Sequence, residues 1–155
     1  MNAKKPSINL ILLNKSWVQI SSDWKKEVSW ALEKTAAIVG KDFSHTEVSV
    51  VFSDNQEVHK LNSTFRHKDN PTNVLSFPSE EKGELGDIIL AYETILEEAK
   101  KDEISPLDHT LHLIIHGFLH LLGYDHQEEN DAVEMENLEL HILKTLNISN
   151  PYEER

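Results

Sequence analysis

Three histidines stand at spacings that suit a single metal ion: His116 and His120 lie one helical turn apart, and His126 follows just past Gly123. Imidazoles at i and i+4 leave a helix on one face, so their nitrogens can meet one zinc at the roughly 2.0–2.1 Å that such bonds require. The glycine lets the chain turn and bring a third ligand back. Three protein ligands leave the fourth position of a tetrahedral ion open, the pattern of a catalytic rather than a structural zinc site. An ion held in this way lowers the pKa of its water to about 7, which is hydrolytic chemistry. The chain contains no cysteine, so nitrogen and oxygen must supply every ligand to a transition metal.

His109 and His112 share the same stripe. On a wheel of about 100° per residue, His109, His112, His116 and His120 gather on the side away from Leu111, Ile114, Ile115, Phe118 and Leu122. A lone histidine on such a helix is normally a core residue bonded to a carbonyl or carboxylate. Four on one stripe each need a partner, and a metal satisfies several at once. His112 and His120 are too far apart along the axis, roughly 12 Å, to share one ion. The pair is therefore 112/116 or 116/120, and only the second has a further histidine beyond a glycine stop. The expected ligands are His116, His120 and His126, with one Zn2+ per chain. His109 and His112 then stand behind the metal or in the core, and Asp125 either orients an imidazole or serves the turn.

The spacing H-x3-H-x2-G-x2-H is also that of the long zinc motif of metzincin peptidases. Those enzymes carry a glutamate general base where this chain has Gly117. Without that carboxylate, peptide hydrolysis lacks its usual proton acceptor. Met135, a possible counterpart of the methionine turn in that group, falls in an amphipathic helical pattern and reads as core.

The elements that must position these residues follow from periodicity. Ile8 to Leu13 reads as a strand, and Asp23 to Val39 as a helix capped by Ser22 or Asp23 and stopped at Gly40. Glu47 to Phe52 is a second strand, Asp54 to Phe65 a short helix, and Asn73 to Phe77 and Leu85 to Leu90 two further strands around a charged turn. Thr94 to Lys101 is a polar helix. Ser105-Pro106-Leu-Asp108 then opens the metal helix with a hydroxyl cap, proline in the first turn and an acid at the third position. From His109 to Tyr124 only the histidines can carry charge, so this helix is buried. A last helix, Asn130 to Leu146, points Val133, Met135, Leu138, Ile142 and Leu146 inward. Strands and helices are interspersed without regular βαβ alternation. The expectation is an α+β fold: a single domain over residues 1–155, with a small, mostly four-stranded mixed sheet packed with helices and the metal-binding helix near the C-terminal end.

At 155 residues, 27% charged and 39% hydrophobic, the chain can bury a core without disulfides. Neither a secretory leader nor a membrane span is legible, so a cytoplasmic protein with no membrane partner is expected. A net charge of −12 argues at first against nucleic acid. The charge is uneven, however. Residues 1–78 carry 10 basic and 8 acidic side chains, whereas 79–155 carry 5 and 19. Much of the acidity follows His126 and reads as the solvated face of the last helix.

His116-Gly-Phe-Leu-His120-Leu-Leu-Gly123-Tyr-Asp-His126, taken with Arg66, with Asn70-Pro-Thr-Asn-Val-Leu-Ser-Phe-Pro78 and with Leu85-Gly-Asp-Ile-Ile, resembles the YbeY family of bacterial rRNA maturation factors. The resemblance covers roughly residues 45–150. It implies a zinc-dependent single-strand endoribonuclease that acts in 16S rRNA 3′-end maturation, rRNA processing and ribosome quality control, with zinc on the three histidines. It further implies single-stranded RNA, in particular rRNA, as partner, with the ribosome or its proteins nearby and no DNA. The family's functional arginine corresponds to Arg66. Apart from Arg155 it is the chain's only arginine, and a guanidinium can hold phosphate through two parallel hydrogen bonds. His67 and Lys68 make its surroundings the densest basic patch. Thr72, Ser76, Asp87, Phe77 and Tyr124 admit site roles but read first as turn, strand and packing residues. The competing readings are another zinc hydrolase, peptidase-like or a phosphoesterase, and a ribosome assembly factor with a structural metal.

Overall fold

The computed structural model describes residues 4–66, 72–124 and 129–151. Among them four strands form one sheet in the order β1-β2-β4-β3: β1 (Ser7–Leu12), β2 (Glu47–Ser53), β3 (Val74–Pro78) and β4 (Glu84–Ala91). β1, β2 and β4 run parallel, and β3 pairs antiparallel with β4, so the sheet is mixed as expected. The helices are α1 (Trp24–Val39), α2 (Asn55–Arg66), α3 (Tyr92–Lys101), α4 (Pro106–Leu121) and α5 (Glu129–Thr145).

The parallel strands alternate in and out, and the alternation builds two cores. Val48, Val50, Phe52, Ile88 and Leu90 point to one face, where they are sealed by α1, α4 and α5. Leu75 and Ile89 point to the other, against Val58 of α2. The element order lacks regular βαβ alternation, as expected, but one βαβ unit that was not foreseen is present: α1 connects the parallel neighbours β1 and β2, the crossover that parallel pairing demands. A 3-10 turn at Lys15–Gln19 was not expected either. It buries Trp17, whose indole N–H donates to the Ser53 carbonyl at 2.9 Å and whose own carbonyl accepts from Trp24 Nε1 at 2.8 Å.

α4 is the central helix, and its start follows the sequence. The Ser105 hydroxyl accepts from the Asp108 N–H at 3.2 Å, with Pro106 in the first turn. Burial pushes the Asp108 carboxyl above the ordinary carboxylate range. The end of α4 is a Schellman motif. Gly123, at φ +101°, donates its N–H to His120 O at 3.0 Å, and Tyr124 N–H reaches Leu119 O at 3.1 Å. This is the turn that the sequence assigns to Gly123.

α4 lies so close to the sheet that Gly117 has no room for a side chain. A Cβ there would stand 2.9 Å from Ser76 Oγ and 3.0 Å from Ile88 Cγ2. The peptidase glutamate is therefore excluded by packing as well as absent from the sequence.

On α5 the buried stripe is Met135, Ile142 and Leu143, continued by Leu146 just past its end, with Leu138 partly covered. Val133 is 52% exposed, contrary to the inward placement expected for it. It stands two positions before Met135, about 200° around the helix and hence on the far side. Met135 is fully buried core, as its periodicity implied.

Candidate metal centre

Every histidine of the α4 stripe meets a polar side chain. His109 Nε2 lies 2.9 Å from Glu98 Oε1 on α3, an oxygen that also accepts from Asn73 Nδ2 at 2.9 Å. His112 Nε2 lies 3.2 Å from Glu139 Oε2, and His116 Nδ1 lies 2.5 Å from Glu139 Oε1. His120 Nε2 meets His116 Nε2 at 3.1 Å, with the rings 4.7 Å apart and 76° from parallel. The core-histidine reading thus describes His109 and His112, each held by a carboxylate. His116 does both things at once.

Two donor sets overlap at His116. His112, His116 and Glu139 offer ligand atoms that all lie within 4.8 Å of one another, a group that can hold a metal ion. His116 and His120 offer two converging Nε2 atoms. Two nitrogens on one tetrahedral zinc stand about 3.3 Å apart, close to the separation of that pair. The Glu139 carboxylate instead meets His116 through the ring's other nitrogen, Nδ1, in a close contact. Glu139 is also fully buried, whereas the His116 ring keeps 20% of its surface exposed. The carboxylate behind it suits the carboxylate–histidine–metal arrangement in which an acceptor on Nδ1 leaves the Nε2 lone pair for the metal.

His126 and Asp125 lie outside the described residues, as do His67 and Lys68. Arg66 is the last residue of α2, and its side chain is outside what is described. Ser76 faces the Gly117 carbonyl at 3.4 Å, within the α4–sheet interface. Asp87 is an exposed residue of β4. Phe77 and Tyr124 pack against the two cores, as their packing reading held.

The residue that the sequence reading missed is Glu139. Its signal was present: Met135, Glu139, Ile142 and Leu143 are spaced i, i+4, i+7 and i+8, so the glutamate occupies an apolar position of α5. An acid on a buried stripe needs a partner, and the partners are His112 and His116. Glu98 was likewise read as part of a polar helix.

Comparison with known proteins bears on this geometry. A solution structure of a protein from Thermotoga maritima shares the fold at a TM-score of 0.56 and 24% identity, covering 95% of this chain and 99% of that one. A curated "Endoribonuclease YbeY" from Zymomonas mobilis is 46% identical over 86% of this chain and 89% of its own length. Another so named, from Bradyrhizobium diazoefficiens, is 42% identical over 97% of this chain and 87% of its own. Residues 11–147 match the family described as Endoribonuclease YbeY, so the likeness begins well before residue 45, where the motifs alone had placed it. With residues 11–147 matching that family and relatives of 46% and 42% identity over most of the chain, the protein belongs to the YbeY endoribonuclease family.

Proposed function

We propose that the protein is a metal-dependent endoribonuclease that cuts single-stranded RNA and acts in the cytoplasm on rRNA, in 16S 3′-end maturation, rRNA processing and ribosome quality control. The convergence of His116 and His120 Nε2 at 3.1 Å, with the other nitrogen of His116 on a buried carboxylate, is the observation that carries the metal site. The names of the relatives support RNA as substrate. His116, His120 and His126 hold one zinc ion. The preference for zinc rests on the ligand chemistry, imidazoles without thiolates at tetrahedral spacing.

A bound zinc ion supplies Lewis-acid chemistry, polarising a phosphoryl oxygen and lowering the pKa of water at its open position to about 7. The chain's own residues position what reacts. The His116 and His120 imidazoles fix the ion at the exposed end of the stripe. Arg66 binds the scissile or a neighbouring phosphate through its guanidinium, and stabilises the charge that gathers on phosphate oxygens during displacement. Gly117 brings no carboxylate to the site and admits none, which disfavours the peptidase reading.

The test is cleavage of a defined single-stranded RNA by purified protein. Wild type cuts; the His120→Ala variant and the metal-stripped wild type do not. Equal cutting by all three preparations refutes the proposal, and activity on peptides without cleavage of RNA would replace it with the other hydrolase reading. Among the described residues no helix is long and apolar enough to cross a membrane.

A further inference from the structure

Glu139 has 0% of its side chain exposed, and both of its carboxylate oxygens are engaged by imidazoles of one neighbouring helix. A carboxylate taken fully out of water is strongly disfavoured unless charged or donating partners meet both oxygens. α5 could have carried a leucine here, in line with Met135 and Leu143, and gained apolar burial instead. What the carboxylate does that an apolar side chain cannot is choose the tautomer of His116. An acceptor on Nδ1 holds the ring proton there, which leaves the Nε2 lone pair facing His120. His112, on the other oxygen, fixes the rotation of the carboxylate.

We infer that Glu139 is a positioning residue for metal binding: held by His112, it locks the His116 ring and tautomer so that Nε2 is presented to the ion alongside His120. The inference rests on the metal site proposed above and adds to it a role for a residue outside the ligand set. Helix α5, which otherwise closes the core, thereby becomes part of the metal site through one side chain. The acidity of the C-terminal half is then not only a solvated face.

Zinc affinity is measured on the whole chain by competition with a chromophoric chelator, for wild type, Glu139→Gln, Glu139→Met and His120→Ala. Unfolding midpoints of the metal-free forms are read beside it. Glu139→Gln keeps a neutral acceptor for His116 and should weaken zinc about 10-fold. Glu139→Met removes the acceptor and should weaken it about 100-fold, the range seen when the partner behind a ligand histidine is lost. A purely structural role predicts instead that affinity stays at the wild-type value in every Glu139 variant that folds, and that result overturns the inference. If Glu139→Met does not fold, the near-isosteric Gln variant decides. Ring nitrogen shifts of metal-free wild type give a second readout: the His116 proton should sit on Nδ1, and finding it on Nε2 refutes the assignment. The His120→Ala control separates the two levels. Wild-type zinc affinity in that variant would sink the metal site itself, whereas its loss together with wild-type affinity in Glu139→Gln would sink only the role of Glu139.

Discussion

Gly117→Ala tests whether α4 is pressed against the sheet as closely as the structure shows. The added methyl would stand 2.9 Å from Ser76 Oγ and 3.0 Å from Ile88 Cγ2, where ordinary carbon contacts lie at about 3.5–4.0 Å. Ser76 Oγ ends a rotatable side chain and can move. Ile88 is β-branched, fully buried and paired in β4 with Val50 of β2, so it cannot. Overpacking of this kind costs about 1–3 kcal/mol. Replacing a helical glycine returns up to about 1 kcal/mol. The balance is a loss of about 1 kcal/mol, or a Tm lower by about 2–4 °C in a domain of this size. Ser76→Ala in the Gly117→Ala background should recover part of it, with a coupling of about 0.5 kcal/mol in a double-mutant cycle. Gly117→Glu places a charge in the same interface without room or partner and should abolish folding, by about 3–5 kcal/mol or more. Thermal and urea unfolding of the metal-free proteins measure both variants. A Gly117→Ala protein more stable than wild type, or a Gly117→Glu protein with a native Tm, would refute the close approach and with it the steric exclusion of a peptidase base.

Gly86→Ala should be more damaging than Gly117→Ala, since at φ +139° its Cβ would lie 2.2 Å from the Phe77 carbonyl oxygen; loss of soluble folded protein on expression is the expected outcome. Ser105→Ala removes the hydroxyl that accepts from the Asp108 N–H and should lower stability by about 1 kcal/mol in urea unfolding while leaving zinc affinity unchanged. Arg66→Ala should reduce RNA cleavage on the order of a hundredfold with metal content intact, as expected when one charge-stabilising donor is lost. Unchanged cleavage in that variant would favour a role for the metal that is structural.

The mixed sheet and all five helices were legible because each element carries its own period and its own ends. Asp23 caps α1 by accepting from Lys26 N at 3.1 Å, Ser105 caps α4, and Gly123 stops it, each readable from a few adjacent residues. What was not legible depended on which neighbour an element meets. The 3-10 turn at Trp17 exists because its indole finds Ser53 O and Trp24 packs beside it, contacts that no local pattern announces. Trp30 and Val133 look apolar in sequence yet stay 40% and 52% exposed, because the stripes of their helices face elsewhere. The closeness of His116 and His120 could be read because both lie on one helix. The carboxylate behind them could not, because the pairing of α4 with α5 is tertiary.

The acidic half shows why net charge is a poor guide to a site. Asp131 and Glu134 of α5 are exposed, where water screens them and they add to the charge that repels RNA from this surface. Glu139, on the same helix, is buried against two imidazoles and faces inward rather than toward that outer surface. The two kinds of acid are distinguished only by the face of the helix they occupy, and that face is set by Met135, Ile142 and Leu143 packing into the core. Gly117, on the same helix as His116, is closed against the sheet, so α4 receives the Glu139 carboxylate from α5 at His116 and carries none of its own at position 117. A helix with peptidase-like spacing thereby keeps its metal-binding face while losing the base that peptide hydrolysis requires. In the proposed site a side chain from another element, Arg66 at the end of α2, would manage the charge of the substrate.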